Sequence, residues 1–153
     1  MTHFHIERAQ GWLRRLDADG WVVPAIAAEF ATPPANVAVM VFSEADHPDA
    51  EVHAVRLAGR GVLVVLTRGM RGGTVFSPCG LTWHYDAHPA EQRDPTGAGD
   101  TFGMVLILGL CEGLHVVEAA NWAARAAACV VEGPEMGSLP QASLRRVRGR
   151  RYA

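Results

Sequence analysis

The sequence predicts an α/β protein with a mainly parallel sheet flanked by helices, on three observations. Two valine-rich runs, Asn36–Phe42 and Val62–Leu66, are apolar at nearly every position. A strand that is apolar throughout is buried on both faces, which is the habit of parallel sheets. Stretches with helical spacing lie between and after these runs, at Asp49–Gly59, Thr101–Glu112 and His115–Val131. Strands alternating with helices argue a sheet covered by helical layers. No internal repeat is present, and 153 residues at 49% hydrophobic content suit a single domain over 1–153 with a sizeable core.

The first element in the chain is a hairpin. Trp12–Leu16 and Trp21–Val23 flank Asp17-Ala18-Asp19-Gly20, and Asp-Gly before an apolar strand is a turn signal. His3 and His5 alternate with Phe4 and Ile6, but no third metal ligand accompanies them, so the N-terminus reads as solvated. Residues 1–35 therefore read as hairpin and loop, with Pro33-Pro34 inside the loop. The Asn36–Phe42 strand ends at Ser43-Glu44-Ala45-Asp46, and in open α/β sheets that end is where ligands bind. An equal reading makes Ser43 a helix N-cap. In the helix that follows, Val52, Val55 and Leu57 are the expected apolar positions, and Gly59 and Gly61 stop it.

After the Val62–Leu66 strand, Thr67-Arg68-Gly69-Met70-Arg71-Gly72-Gly73 turns into a strand at Thr74–Ser77. Arg68 or Arg71 offers charge-assisted contacts to phosphate, and a plain Gly-rich hairpin is the alternative. Leu81–Tyr85 reads as another strand. His84 and His88 read as surface, since no fitting nucleophile accompanies them.

The stretch that carries chemistry is Asp94-Pro95-Thr96-Gly97-Ala98-Gly99-Asp100-Thr101-Phe102. Small residues just before a helix let the backbone turn tightly and approach a ligand. The first N–H groups of the helix lack intrahelical partners, and its positive dipole end faces outward. Together these make an anion site suited to phosphate. Asp100 inside it is placed to accept a proton from an attacking hydroxyl, and the helix end favours its ionised form. Capping of the helix by Asp100 or Thr101 is the competing reading.

Asp-x-Thr-Gly-Ala-Gly-Asp-Thr-Phe closely resembles the signature of the ribokinase-like (PfkB) carbohydrate kinase family. The resemblance implies a ribokinase-like three-layer sandwich, present in part, because it covers most of this chain but only the C-terminal half of such a kinase. It implies an ATP-dependent carbohydrate or nucleoside kinase in which Gly97, Ala98, Gly99 and Asp100 form the anion hole and Asp100 is the catalytic base. Thr67, Gly69 and Gly72 match the family's nucleotide-binding turn. Ala124, Ala127, Ala128 and Gly133 match the adenine pocket, although small residues also let two helices pack closely. Where the family has an Asn-x-x-Glu motif for magnesium and phosphate, this chain has Ser43 and Asp46. Asp46 and Asp94 are the carboxylates offered to Mg²⁺, and a monovalent cation such as K⁺ is also implied. The implied partners are ATP and a small hydroxylated substrate, a sugar or nucleoside.

Composition excludes other classes. Net charge is −2, so no global field favours nucleic acid or membrane. All fourteen basic residues are arginine, so a P-loop lysine is impossible. Cys79, Cys111 and Cys129 fit neither a disulfide framework nor a zinc pattern, and the last two read as buried small hydrophobes. No apolar run is long enough to span a bilayer and no signal peptide is visible, so a cytoplasmic protein is expected. A last short helix is expected at Gln141–Val147, and arginines in 145–153 form a basic tail that reads as solvated. An apolar Asn36–Phe42 strand at an open sheet edge invites pairing with a second copy, so a homodimer is expected. A non-catalytic remnant of a kinase, or one half of a split kinase, are the rival readings.

Overall fold

The computed structural model describes residues 5–8, 12–27, 30, 32, 36–91 and 93–132. They fall into two compact units, Met1–Gly69 with Gly73–His84, and Met70–Gly72 with Tyr85–Ala153. In chain order the elements are β1 (His5–Arg8), β2 (Arg14–Leu16), β3 (Val22–Pro24), β4 (Val37–Ser43), α1 (Ala50–Ala58), β5 (Leu63–Thr67), β6 (Gly73–Phe76), β7 (Thr82–Tyr85), α2 (Ala98–Cys111) and α3 (Val116–Glu132). Gly133, the expected helix at Gln141–Val147, the 145–153 tail, His3 and the Pro33-Pro34 loop lie outside the described residues.

The first unit is built on a five-stranded sheet in the order β1-β4-β5-β6-β7. β4 pairs in parallel with both β1 and β5, while β6 returns antiparallel to β5. The sheet is therefore mixed. The five-residue link at 68–72 is long enough to turn a hairpin and far too short for a crossover, which is why β6 comes back antiparallel. Met40, Phe42, Val64, Leu66 and Phe76 share a core with Ala54 and Leu57 of α1 and with Leu13 and Phe30. The alternate residues Val39, Val41, Val65 and Val75 are buried too. Burial on both faces explains why β4 and β5 read as continuous apolar runs. Each such side chain contributes about 1.5–3 kcal/mol of burial.

Three expectations need correction here. The N-terminus is not simply solvated, because His5–Arg8 forms β1 and its Ile6 lies opposite Val39. The β4 edge is thereby closed from within the chain, and the homodimer loses the open edge on which it rested. The buried stripe of α1 is Ala50, His53, Ala54, Leu57 and Ala58, while Val52 and Val55 are exposed. Spacing explains the difference: 50, 53/54 and 57/58 return to one face every 3.6 residues, whereas 52, 55 and 57 do not.

The expected hairpin forms between β2 and β3 as a separate two-stranded sheet. Gly20 takes φ +84°, and Asp17 Oδ1 accepts the N–H groups of Asp19 (3.0 Å) and Trp21 (2.8 Å). That side-chain bonding is how an aspartate fixes a turn.

In the second unit α2 and α3 form a helical hairpin. Gly113, with φ +80°, follows the Glu112 C-cap. Its N–H reaches Leu110 O at 3.1 Å and the Leu114 N–H reaches Gly109 O at 3.0 Å. This pair of bonds is the Schellman motif, and it stops α2 where the sequence places the stop. Phe102, Leu106 and Gly109 form the buried stripe of α2. A Cβ added at Gly109 would sit 2.9 Å from the Ala119 Cβ, so the two helices approach through small residues. Cys111 ends α2 exposed rather than buried, because the last residue of a helix is free of the packed stripe. No helix among the described residues is long and apolar enough to cross a membrane.

Candidate functional site

The residues from Asp94 to Asp100 build a helix start from the backbone outward. Asp94 Oδ1 accepts the Thr96 N–H at 2.8 Å. Hydrogen bonds from the Thr96 side chain, then from its N–H, hold the Asp94 carboxyl below its ordinary value. The Pro95 carbonyl accepts the Ala98 N–H at 3.2 Å. Gly97 is the N-cap of α2 in the left-handed region, φ 81° and ψ −9°. A side chain there would cost about 1–2 kcal/mol, which is the physical need for glycine. Gly97 O then accepts the Thr101 N–H at 2.9 Å, the first bond of the α2 ladder. α2 begins at Ala98, three residues earlier than the sequence spacing suggests, so Gly99 and Asp100 lie inside its first turn. Gly97, Ala98, Gly99 and Asp100 thus lie at the N-terminal, positive end of α2, where a helix start suits an anion.

The C-terminus of α3 anchors this stretch. Val131 O accepts both the Arg93 N–H (2.9 Å) and the Asp94 N–H (3.2 Å), and Glu132 Oε1 accepts the Glu91 N–H at 3.0 Å. A helix C-terminus carries unpaired carbonyls, so it suits backbone donors from a neighbouring strand of chain. Ala124, Ala127 and Ala128 share one stripe of α3 that leads to Val131, with Ala128 buried and the other two half-buried. An open concavity of about 630 Å³ runs along His115, Val117, Glu118, Asn121, Trp122 and Arg125. It contains none of the residues that the sequence singles out.

In the first unit Ser43 and Thr67 are register partners, so the links after β4 and β5 leave the sheet side by side. Ser43 Oγ accepts the Ala45 N–H at 3.2 Å, and Asp46 Oδ2 accepts the Ser43 N–H at 2.8 Å. The two form a capping box on the short 3₁₀ turn Glu44–Asp46. Asp46 is buried. Among the described residues no three His, Cys, Asp or Glu side chains gather as a metal centre.

In the 68–72 link, Arg68 departs from a phosphate-binding reading. Arg68 Nη2 lies 3.1 Å from Glu51 Oε2 and Nε lies 3.7 Å from Glu44 Oε2. Arg68 Nη1 also donates to Thr74 Oγ1, and His84 Nδ1 lies 3.1 Å from that same oxygen. Two carboxylates facing one guanidinium cancel its pull on an anion. Sequence reading missed this network, and its only trace there is an acid and an arginine placed just after successive strands. Gly69 (φ +56°) has open space where a side chain would go. Gly72 (φ +76°) does not, since a Cβ would lie 2.1 Å from Tyr85 O and 2.9 Å from Ala87 N. Thr67 and Gly69 belong to the first unit, and Gly72 to the second together with the residues of α2 and α3. Thr67 Oγ1 donates to Phe42 O at 3.4 Å.

Comparison with known proteins settles the family. The model of the pfkB family carbohydrate kinases matches residues 27–142. The chain belongs to the PfkB family. Inositol 3-kinase of Zea mays is 35% identical to this PfkB chain over 118 residues, which are 73% of the chain and 29% of the maize protein. Among solved structures, a myo-inositol kinase obtained by converting a pyrophosphate-dependent 1-kinase into a 3-kinase superposes with TM-score 0.73 at 17% identity, over 94% of this chain and 52% of its own. Arabidopsis thaliana ribokinase, solved with ribose and ATP, superposes with TM-score 0.62 at 22% identity, over 74% and 41%. The fold is thus the ribokinase fold in part. The chain spans about half or less of each of these relatives.

Proposed function

We propose that this PfkB chain is an ATP-dependent phosphotransferase module that moves the γ-phosphoryl group to a hydroxyl of a sugar or polyol. The observation that carries the proposal is the left-handed Gly97 cap opening α2, with Asp100 in the first helical turn. In this reading the γ-phosphate lies over the backbone of the segment formed by Gly97, Ala98, Gly99 and Asp100. The acceptor oxygen attacks phosphorus, the bond to the bridging oxygen breaks, and ADP leaves. Asp100 takes the hydroxyl proton and returns it to solvent. A carboxylate is base enough, because the transition state is loose and the proton moves late.

Thr67, Gly69 and Gly72 are proposed to border the nucleotide, with Ala124, Ala127, Ala128 and Gly133 leaving room for its base. The ATP and ribose bound to the Arabidopsis ribokinase support the donor and the acceptor class. The similarity to maize inositol 3-kinase makes a cyclic polyol an acceptor of equal interest. Mg²⁺ is proposed to arrive with ATP, since such ions are bound largely through substrate phosphates and one or two carboxylates. Asp46 and Asp94 are the proposed carboxylates, and K⁺ is kept as an optional activator. A cytoplasmic location follows from the proposed use of ATP.

A phosphorylation assay tests this reading, with ATP or pyrophosphate as donor and inositol or ribose as acceptor. ATP-dependent product from the purified chain is expected, and Asp100→Asn should lower turnover roughly 10²–10⁴-fold, the scale of general-base catalysis. A mutant that turns over at the wild-type rate removes Asp100 from this role. Product formed only after a cell extract is added would favour half of a split kinase.

A further inference from the structure

Arg68 is an arginine whose charge is already answered. Its side chain is 16% exposed, and its donors point to Glu44, Glu51 and Thr74. These partners sit on the turn after β4, on α1 and on β6. Behind Thr74, itself buried, stands His84 of β7. A hydroxyl that accepts from a guanidinium keeps further hydrogen-bonding capacity, and His84 Nδ1 lies 3.1 Å from it, within hydrogen-bond reach. One side chain thus joins four elements of the first unit, directly or through one hydroxyl.

Its place relative to the link matters more than the number of partners. Arg68 and Thr74 stand on either side of the residues Gly69, Met70, Arg71 and Gly72. The Arg68–Thr74 bond therefore closes the base of that turn, next to the Thr67–Gly73 pair of the β5–β6 ladder. The turn starts with open space at the Cβ position of Gly69 and an exposed Met70. A turn of this kind keeps one conformation only if its ends are braced. The fork geometry of arginine suits that task, and lysine cannot reproduce three divergent contacts.

We propose that Arg68 is a positioning residue that fixes the 69–72 turn for nucleotide binding and makes no phosphate contact itself. This rests on the reading of the turn as a nucleotide border. Holding the turn in its bound shape lowers the cost of ordering it when ATP arrives. The inference predicts a loss confined to the nucleotide, because inorganic pyrophosphate bound at the α2 start needs no turn.

The test measures two affinities by calorimetry on the full chain, for ATP–Mg²⁺ and for inorganic pyrophosphate. Arg68→Met should weaken ATP about tenfold, as expected when a preorganised contact surface is loosened, and leave pyrophosphate within about twofold. Thr74→Val, which keeps the volume and removes the hydroxyl, should shift ATP the same way by less. Arg68→Lys should not restore ATP affinity. Equal losses for both ligands would mean a general structural role and would overturn the proposal. Unchanged ATP binding in Arg68→Met, or in Thr74→Val should the first variant not fold, would overturn it as well. A wild-type chain that binds pyrophosphate but no ATP would overturn the nucleotide reading of the turn itself, and this inference with it.

Discussion

Asp100 and His53 show how much one side chain can carry. Asp100→Asn removes a negative charge from beside the proposed phosphate site, so ATP should bind at least as well while turnover falls. Calorimetry and the assay on the same variant check both halves. His53 has a different consequence. It is 8% exposed, its ring meets Phe30 edge-on at 5.4 Å and His47 at 4.8 Å, and neither ring nitrogen has a hydrogen-bond partner among the described residues. Burial first, then Arg56 and His47, push its pKa below the ordinary histidine value, against an opposing pull from Asp49. A lowered histidine pKa means that the unfolded chain binds the proton more readily. Stability is therefore full above about pH 6.5 and falls as pH drops below that value toward the folded pKa. Melting temperature should decline between pH 7 and 5, and His53→Phe should flatten that decline while keeping the aromatic contacts. A profile unchanged by the substitution would mean that His53 does not set it. No sequence pattern announced this residue, because a histidine next to the surface residue Val52 looks like any polar position until the stripe is known.

At the scale of elements, glycines separate two roles that look identical in sequence. Gly69 and Gly72 both match the family's turn, yet only Gly72 is packed against the Tyr85–Ala87 backbone. Gly72→Ala should cost about 3 kcal/mol, the sum of a left-handed residue and an overpacked contact, and Gly69→Ala only about 1 kcal/mol. Urea unfolding midpoints decide, and equal losses would contradict the contrast. Between the helices, Gly109→Ala should cost about 1–3 kcal/mol by overpacking against Ala119. Ala119→Gly in the same chain should recover part of that loss, which a double-mutant cycle reads as coupling. Much at this scale was legible. β4, β5, β6, the 17–20 turn and the Gly113 stop lie within a residue or so of the spacing-based expectation, since each depends on local chemistry. β1 was not legible. Four residues form a strand only because β4 is there to pair with, and such long-range pairing leaves no local mark. The inward face of α1 was misread because alanine and histidine, rather than valine, lie against Phe30 and the sheet.

For the whole molecule, family and fold could be read from the stretch beginning at Asp94, because it resembles the family signature residue by residue and folds as a helix start with a left-handed Gly97. What could not be read is that α2 already begins at Ala98. That depends on Ala98 bonding to Pro95 O, a detail of backbone geometry. A bound nucleotide should also stabilise the native chain by mass action, by about 2.7 kcal/mol at a hundredfold excess over Kd, and a melting curve with ATP–Mg²⁺ would show it. The central claim, that the start of α2 holds the transferred phosphate, is tested most directly by a crystal structure with a non-hydrolysable ATP analogue. The terminal phosphate is predicted within about 2.7–3.2 Å of backbone nitrogens in the Gly97–Asp100 segment. A nucleotide whose phosphates lie elsewhere on the chain, with the start of α2 empty at millimolar ligand, would contradict it.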